Sequence, residues 1–345
     1  MSELRKNFHN HELHHLIMTV NQRNLVYNHD FQYFSNANYA VDPVDYGVPD
    51  GYQYMDQGSN GGVNLVNDHL VITTSNDDQS VMVFKQALHE FPRWQQTLCN
   101  QTVTACIQLS ATSGSSISVL LSDGVNSSIE KRVVEDEDEM IIELQLFVDT
   151  HAEELVIQLQ SHSNASVITI SKIYANIGQV AVSNLPCMID GVIGQTQQLI
   201  ATCNPPSNQL SLCQSAIELS ENMTRLDSVL NGRFGRGDQG RSYLPDIRGL
   251  FMRSWDNGAQ TDPNAKERKS LGRGSTISGD LVGTIQEDVF EKHVHTIDFT
   301  IGELKPSGDM APIYPVINKL QETSEVGGDE TRPKNVYELY TIKWA

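Results

Sequence analysis

The sequence predicts a mainly β protein: a β-sandwich followed by a mixed, mostly β region. Three observations predict it. Between Asn24 and Asn176, short runs rich in Val, Ile and Thr read as strands, several alternating apolar with polar residues. Turn-rich gaps separate those runs. Helical spacing is confined to two short stretches, 3–20 and 215–230.

The predicted strands come in order. They are Leu70–Thr73, Ser80–Phe84, Thr102–Leu109, Ile117–Leu121, Met140–Phe147, Leu155–Leu159 and Val167–Ile173. Many short strands of this kind argue a sandwich. The acidic run Glu135–Glu139 reads as a solvated loop before a strand. Val182–Gly191 reads as a linker. The last residues, Asn335–Ala345, alternate like a strand, with Trp344 expected at a subunit contact. Three segments follow: a helical docking segment over 1–23, the sandwich over 24–182, and a C-terminal domain over 183–345.

The chain has 345 residues and a net charge of −19. A field of that sign repels nucleic acid and anionic membranes, and leaves neutral glycans open as partners. Residues 231–275 reverse the balance, with nine Lys/Arg against five acids; pairing across subunits or plain surface cover is expected of them. No apolar run is long enough to span a bilayer, and the first ten residues lack the apolar stretch of a secretory signal. Membrane insertion is therefore not expected, and the four Asn-x-Ser/Thr sequons read as chance. Five cysteines, odd in number and without a Cys-x-x-Cys pair, indicate reduced thiols in a protein made in a cytosol.

Two histidine patterns bear on metal chemistry. His11-Glu12-Leu13-His14-His15 matches the zinc-protease helix in form. It lies at the start of the sequence, inside a His-rich patch, with no marked third ligand, so no protease is expected. His293 and His295 are two apart, and in a strand they would aim two imidazoles at one side. Two ligands do not close a site. Distant residues of one chain could complete it, three chains about a three-fold axis could supply six nitrogens, or the pair is solvated. No pair of carboxylates marks a glycosidase site, so catalysis is not expected.

Sugar binding needs ring faces and hydroxyl partners. Residues 27–54 are rich in aromatics among Asp, Asn and Gln. Tyr33, Tyr39, Tyr46, Tyr52 and Tyr54, with Trp94 further on, form the candidate glycan or receptor platform. The competing reading places half or more of the rings in this stretch in the core.

Residues 24–180 resemble the jelly-roll carbohydrate-binding modules. The features are the opening Asn24-Leu-Val-Tyr-Asn-His-Asp-Phe31, the run Leu98–Leu109 and the closing Ile168–Asn176. His29 and Gln32 stand where that opening usually carries Gly and Glu, so no calcium site is carried over. The C-terminal half resembles the phage tail-collar family. The motifs are Leu244-Pro-Asp-Ile-Arg-Gly249 running on to Gly258, then Asp262-Pro263, His293-Val-His295, and Gly327-Gly-Asp-Glu-Thr-Arg332 continuing to Val336. Leu212-Cys213-Gln214-Ser215 departs from a frequent Leu-Cys-Asp-Gly turn.

This second resemblance implies a homotrimer in which His293 and His295 hold one octahedral, iron-like transition-metal ion on the axis. It implies a virion protein of a phage tail fibre or tail tip, made in the host cytoplasm, that attaches to a bacterial surface glycan or outer-surface protein. A structural collar or baseplate component that docks other tail proteins is the alternative. Such parts also serve phage-derived injection devices.

Overall fold

The computed structural model describes residues 22–36, 47–58, 60–76, 81–272, 274–275, 277–288 and 337–345. Met1–Ile285 with Glu338–Ala345 make one compact unit, and Gln286–Tyr337 make another, of which only 286–288 and 337 are described. The expected helix over 3–20, the His11–His15 pattern and the pair His293 and His295 lie outside the described residues.

Ten strands build the sandwich: β1 Gln53–Met55, β2 Gly62–Val66, β3 His69–Thr73, β4 Met82–Ala87, β5 Thr102–Ala111, β6 Ser116–Ser122, β7 Ser127–Val133, β8 Met140–Phe147, β9 Val156–Ser161 and β10 Val167–Ile177. They form two five-stranded antiparallel sheets, in the orders β1-β4-β9-β6-β7 and β2-β3-β10-β5-β8. This is the jelly-roll arrangement that the strand pattern predicts. Alternation explains the core. Phe84, Leu159 and Val119 of the first sheet face Ile107, Leu144 and Ile170 of the second, all nearly or wholly buried.

The opening segment closes one end. Gln86 of β4 acts as a ladder rung, taking the Tyr27 N–H on Oε1 (2.8 Å) and donating Nε2 to Tyr27 O (2.9 Å). Asn24 pairs with 186–188, its N–H reaching Pro186 O at 2.9 Å while Met188 N–H reaches Asn24 O at 2.7 Å. The segment expected as a linker is therefore stitched to the sandwich at this point.

A second, smaller apolar cluster follows, including Ile189, Leu212, Leu226, Leu244 and Ile342. It carries a three-stranded sheet, β11 Thr196–Leu199, β15 Leu339–Lys343 and β12 Gln209–Ser211, in that order, and a short helix Thr224–Leu230. Between them lie the small pair β13 Lys269–Ser270 and β14 Thr284–Ile285. The predicted helix over 215–230 is shortened to its last two turns. Glu218 instead bridges to Tyr243, and Leu219 N–H reaches Ser242 O at 3.0 Å, so the first half is extended. Trp344 packs on both cores of its own chain and donates Nε1–H to Ser207 O at 3.2 Å.

All five cysteines are free. Most of the basic residues of 231–275 engage partners in the same chain. Arg248 pairs with Asp246 at 2.6 Å, and Arg268 and Arg253 pair with Asp262 at 3.2 and 3.8 Å. Among the described residues no helix is long and apolar enough to cross a membrane, and no cluster of three His, Cys, Asp or Glu forms a metal site.

Candidate functional site

Strand parity decides which aromatics can meet a ligand. Tyr52 and Tyr54 share the inner side of β1 and its approach. Tyr54 is level with Phe84 of β4, a core ring. Tyr52 is fully buried and stacks on Phe84, ring centroids 4.8 Å apart. Tyr52 is therefore corrected from ligand platform to core: it has no free face. Tyr54 is half-buried against the same core, and its hydroxyl donates to Asp56 Oδ2 at 3.1 Å. Trp94 opens a short helix, Trp94–Leu98, half-buried and edge-on to His89 at 5.0 Å. Tyr33 is the most exposed of the described candidates, at 39%, with its ring stacked on Tyr27 at 6.1 Å. Tyr39 and Tyr46 lie outside the described residues.

The residues between those rings form a different surface. On the outer face of the first sheet, register aligns Gln53, Lys85, Gln158, Leu120 and Ile129 in one row across all five strands. The adjoining row is Met55, Val83, Gln160, Ser118 and Lys131. At about 4.8 Å per strand the platform is about 19 Å wide, the length of a short oligosaccharide. Ser118 Oγ donates to Gln160 Oε1 at 3.2 Å, which holds that amide in place. Among the described residues neither Lys85 nor Lys131 is in an ion pair, so two cations face outward from an acidic chain. The ion pair nearby, Arg132 with Glu130, belongs to the opposite side of β7.

The outer face of the second sheet is less open. The chain at 178–182 crosses it: Thr104 Oγ1 donates to Gly178 O at 2.6 Å, and Asn176 Nδ2 donates to Val180 O at 3.0 Å. Thr104 and Asn176 are fully buried as a result. Beside them burial and neighbouring Cys106 push the Tyr174 hydroxyl up to about 12, so it stays a neutral donor.

The amide face is not legible in the sequence because its members are spread over five strands. The one local signal is Val156-Ile-Gln-Leu-Gln-Ser161, where Gln158 and Gln160 alternate with core residues. Amides can donate to and accept from hydroxyls and lysines can donate to them, with Met55, Leu120 and Ile129 as apolar ground between them.

No protein-family model matches this chain. It is 29% identical over 168 residues to Protein RhiB of Rhizobium leguminosarum bv. viciae, covering 47% of this chain and 76% of that one. Among solved structures it is similar to TmCBM61 in complex with beta-1,4-galactotriose (14% identity, TM-score 0.32, covering 44% of this chain and 97% of the module). It is similar to the CBM22-1 xylan-binding domain of Paenibacillus barcinonensis Xyn10C (11%, 0.30, 46% and 96%). A third is the enzymatically active domain of bacteriophage CBA120 tailspike protein 4 (15%, 0.33, 45%), of which the chain spans 21%. The solved structures it is similar to include several carbohydrate-binding modules.

Proposed function

We propose that this chain is a glycan-binding adhesin whose sugar site is the outer face of the first sheet. The observation that carries this is the row Gln53–Lys85–Gln158, partly exposed on the outer face of the five-stranded sheet, with Gln160 beside it held by the buried Ser118. Long amides and ammonium groups reach hydroxyls without demanding a charge on the ligand. Binding is non-covalent. The test is an array of bacterial surface glycans followed by titration of the best ligand. Lys85→Ala with Gln158→Ala is expected to weaken binding at least tenfold, which is about 1.4 kcal/mol. Tyr52→Phe is expected to leave it unchanged. Full affinity in the double variant would move the site elsewhere.

The wider reading is a homotrimeric tail-fibre or tail-tip protein that attaches a phage to its bacterial host. Its support is the ordered set of motifs from Leu244 to Val336. Three copies per fibre would convert weak sugar sites into firm attachment through effective concentration. In this reading His293 and His295 supply one axial metal ion per trimer. Elemental analysis with solution mass tests it: loss of metal and of trimer in the His293→Ala, His295→Ala variant supports the site, and a metal-free monomeric wild type removes it.

One observation favours the structural alternative. Leu250, Phe251, Met252 and Trp255 are exposed within a single irregular stretch, Phe251 by 64%. Apolar side chains gathered in this way suit contact with another protein. Failure of the purified protein to adsorb to bacteria or to compete with phage would favour that alternative.

A further inference from the structure

β8 is the outer strand of the second sheet, and among the described residues its ladder pairing is with β5 alone, while the Gln145 side chain donates Nε2–H to Gln179 O at 2.6 Å. It is eight residues long, Met-Ile-Ile-Glu-Leu-Gln-Leu-Phe, without proline or glycine. Ile142, Leu144 and Leu146 point into the core. Ile141, Glu143, Gln145 and Phe147 point outward, and Ile141 and Phe147 are each 60% exposed. Long edge strands with apolar outward residues are templates for pairing with another chain, and natural proteins blunt them unless the edge is used.

We propose that β8 is a self-pairing edge, through which two copies of this chain join their sheets into one continuous ten-stranded sheet. The sequence of the strand selects both the partner and the register. Antiparallel pairing of β8 with itself about a two-fold axis at Leu144 sets Ile141 opposite Phe147 of the second copy, and Glu143 opposite Gln145. Leu144 then meets its own copy, and Ile142 meets Leu146. Every outward residue faces an outward residue of matching chemistry, and every inward residue an inward one. Other registers fail. Centring on Glu143 sets two carboxylates opposite each other. Centring on Gln145 sets Glu143 against Phe147. Centring between residues turns the apolar set of one copy to the wrong face. A surface that complements itself about a two-fold axis closes as a dimer. The occupant is therefore a second copy of this chain and not an unrelated strand.

This inference stands apart from the glycan face, which lies on the other sheet. It also stands apart from a three-fold contact. With both, the assembly would be a pair of trimers.

The test uses the full chain. Sedimentation equilibrium over a range of concentrations is compared for wild type, for Ile141→Lys with Phe147→Lys, and for Val66→Lys on the opposite edge of the same sheet. The first variant is expected to halve the assembly mass, and the second to leave it unchanged. All three positions are exposed, so unfolding midpoints are expected to agree with wild type. Independently, Glu143→Cys with Gln145→Cys is expected to give a covalent dimer on mild oxidation that wild type does not give. Cross-strand pairs lie within disulfide reach, whereas residues two apart on one strand diverge beyond it. An assembly mass that Ile141→Lys with Phe147→Lys leaves intact would overturn the proposal. So would a wild-type monomer at every concentration, or absence of the cross-link.

Discussion

The sandwich and the region that follows it are held by different means. In the sandwich, ten strands satisfy one another's backbone groups, and the space between the sheets is filled by aliphatic and aromatic side chains. The second region has three short strands on its small core and one helix of seven residues. That is too little regular structure to satisfy its own backbone. Buried polar side chains do so instead. Arg225 is fully buried and donates from its guanidinium to Ala87 O and to Leu25 O (3.3 Å), both in the sandwich part of the chain. Glu90, also buried, accepts the N–H groups of Thr224 and Arg225 at 2.6 and 2.9 Å, capping the helix from outside it. Asn36 donates to Ser228 O at 2.9 Å, and Gly51 N–H to Ser228 Oγ at 2.9 Å. Gly51 sits at φ +88, and a Cβ there would come within 2.7 Å of the Tyr27 ring. The lesson is that the second region borrows its order from the sandwich through a few polar pins.

The largest expected effect therefore comes from one pin. Arg225→Ala leaves Glu90 buried beside an empty site and the carbonyls of Leu25, Ala87 and Glu90 without their donor. The expected loss is about 3–5 kcal/mol. Hydrogen exchange should show 210–250 opening well before β5 and β10. Loss of protection throughout both regions at once would mean that they are one cooperative unit, and the contrast would fail. Leu159→Ala, in the middle of the sandwich, is expected to cost about 2–5 kcal/mol by transfer and cavity terms. Here protection should fall everywhere, because the second region cannot outlast its support. Asp227→Ala comes next. Its Oδ1 accepts Ser242 N–H at 2.7 Å, and removing it strands a donor at a cost of about 1–3 kcal/mol. That loss should be confined to 219–243.

The same contrast decides what was legible in the sequence. Seven strands could be read because apolar residues alternate within them, as in Met140–Phe147. β7 could not, since Ser-Ser-Ile-Glu-Lys-Arg-Val presents no buried face and is a strand only because β6 pairs with it. The shortened helix at 224–230 shows the limit of spacing rules. Ile217 and Leu219 fit a helical stripe, but pairing of Glu218 with Tyr243 wins over it. For the candidate site, the density of tyrosines near residue 50 marks β1 and its approach, but Tyr52 and Tyr54 lie on the core side. Tyr52 and Tyr54 are apolar enough to be taken inward, and that parity leaves Gln53 and Met55 outside. Arg225 was not singled out: in the sequence it is one arginine on an amphipathic stretch.

The smallest effect, and the sharpest probe of the seam, is pH. His89 lies at the end of β4, beside Glu90, and is buried. Its Nδ1 lies 3.0 Å from Leu155 N–H and 3.2 Å from Leu155 O, accepting from the first in the neutral ring protonated on Nε2 and donating to the second when Nδ1 carries a proton. Burial pulls the imidazole below its ordinary range, and the charge of Arg225 acts in the same direction; the Leu155 carbonyl, Glu90 and Glu154 oppose it. A histidine whose folded pKa is depressed contributes stability that is complete above its unfolded value, near 6.5. That stability is lost as pH falls below about 6.5, since the unfolded chain takes up the proton first. Asp50 has the opposite sign: burial raises its carboxyl despite bonds from Ser35 N–H and Oγ at 2.7 and 2.6 Å. Its contribution is present below its unfolded value and lost as pH rises through the folded one. Chemical denaturation at pH 7 and pH 5.5 separates the two. Wild type should be less stable at pH 5.5, while His89→Asn, whose side-chain oxygen can still accept Leu155 N–H, should show a smaller difference. An equal pH dependence in both would place the acid-sensitive group elsewhere. If the drop is carried by His89, exchange at pH 5.5 should rise first around 87–90 and 224–226, where the imidazolium would meet the buried guanidinium.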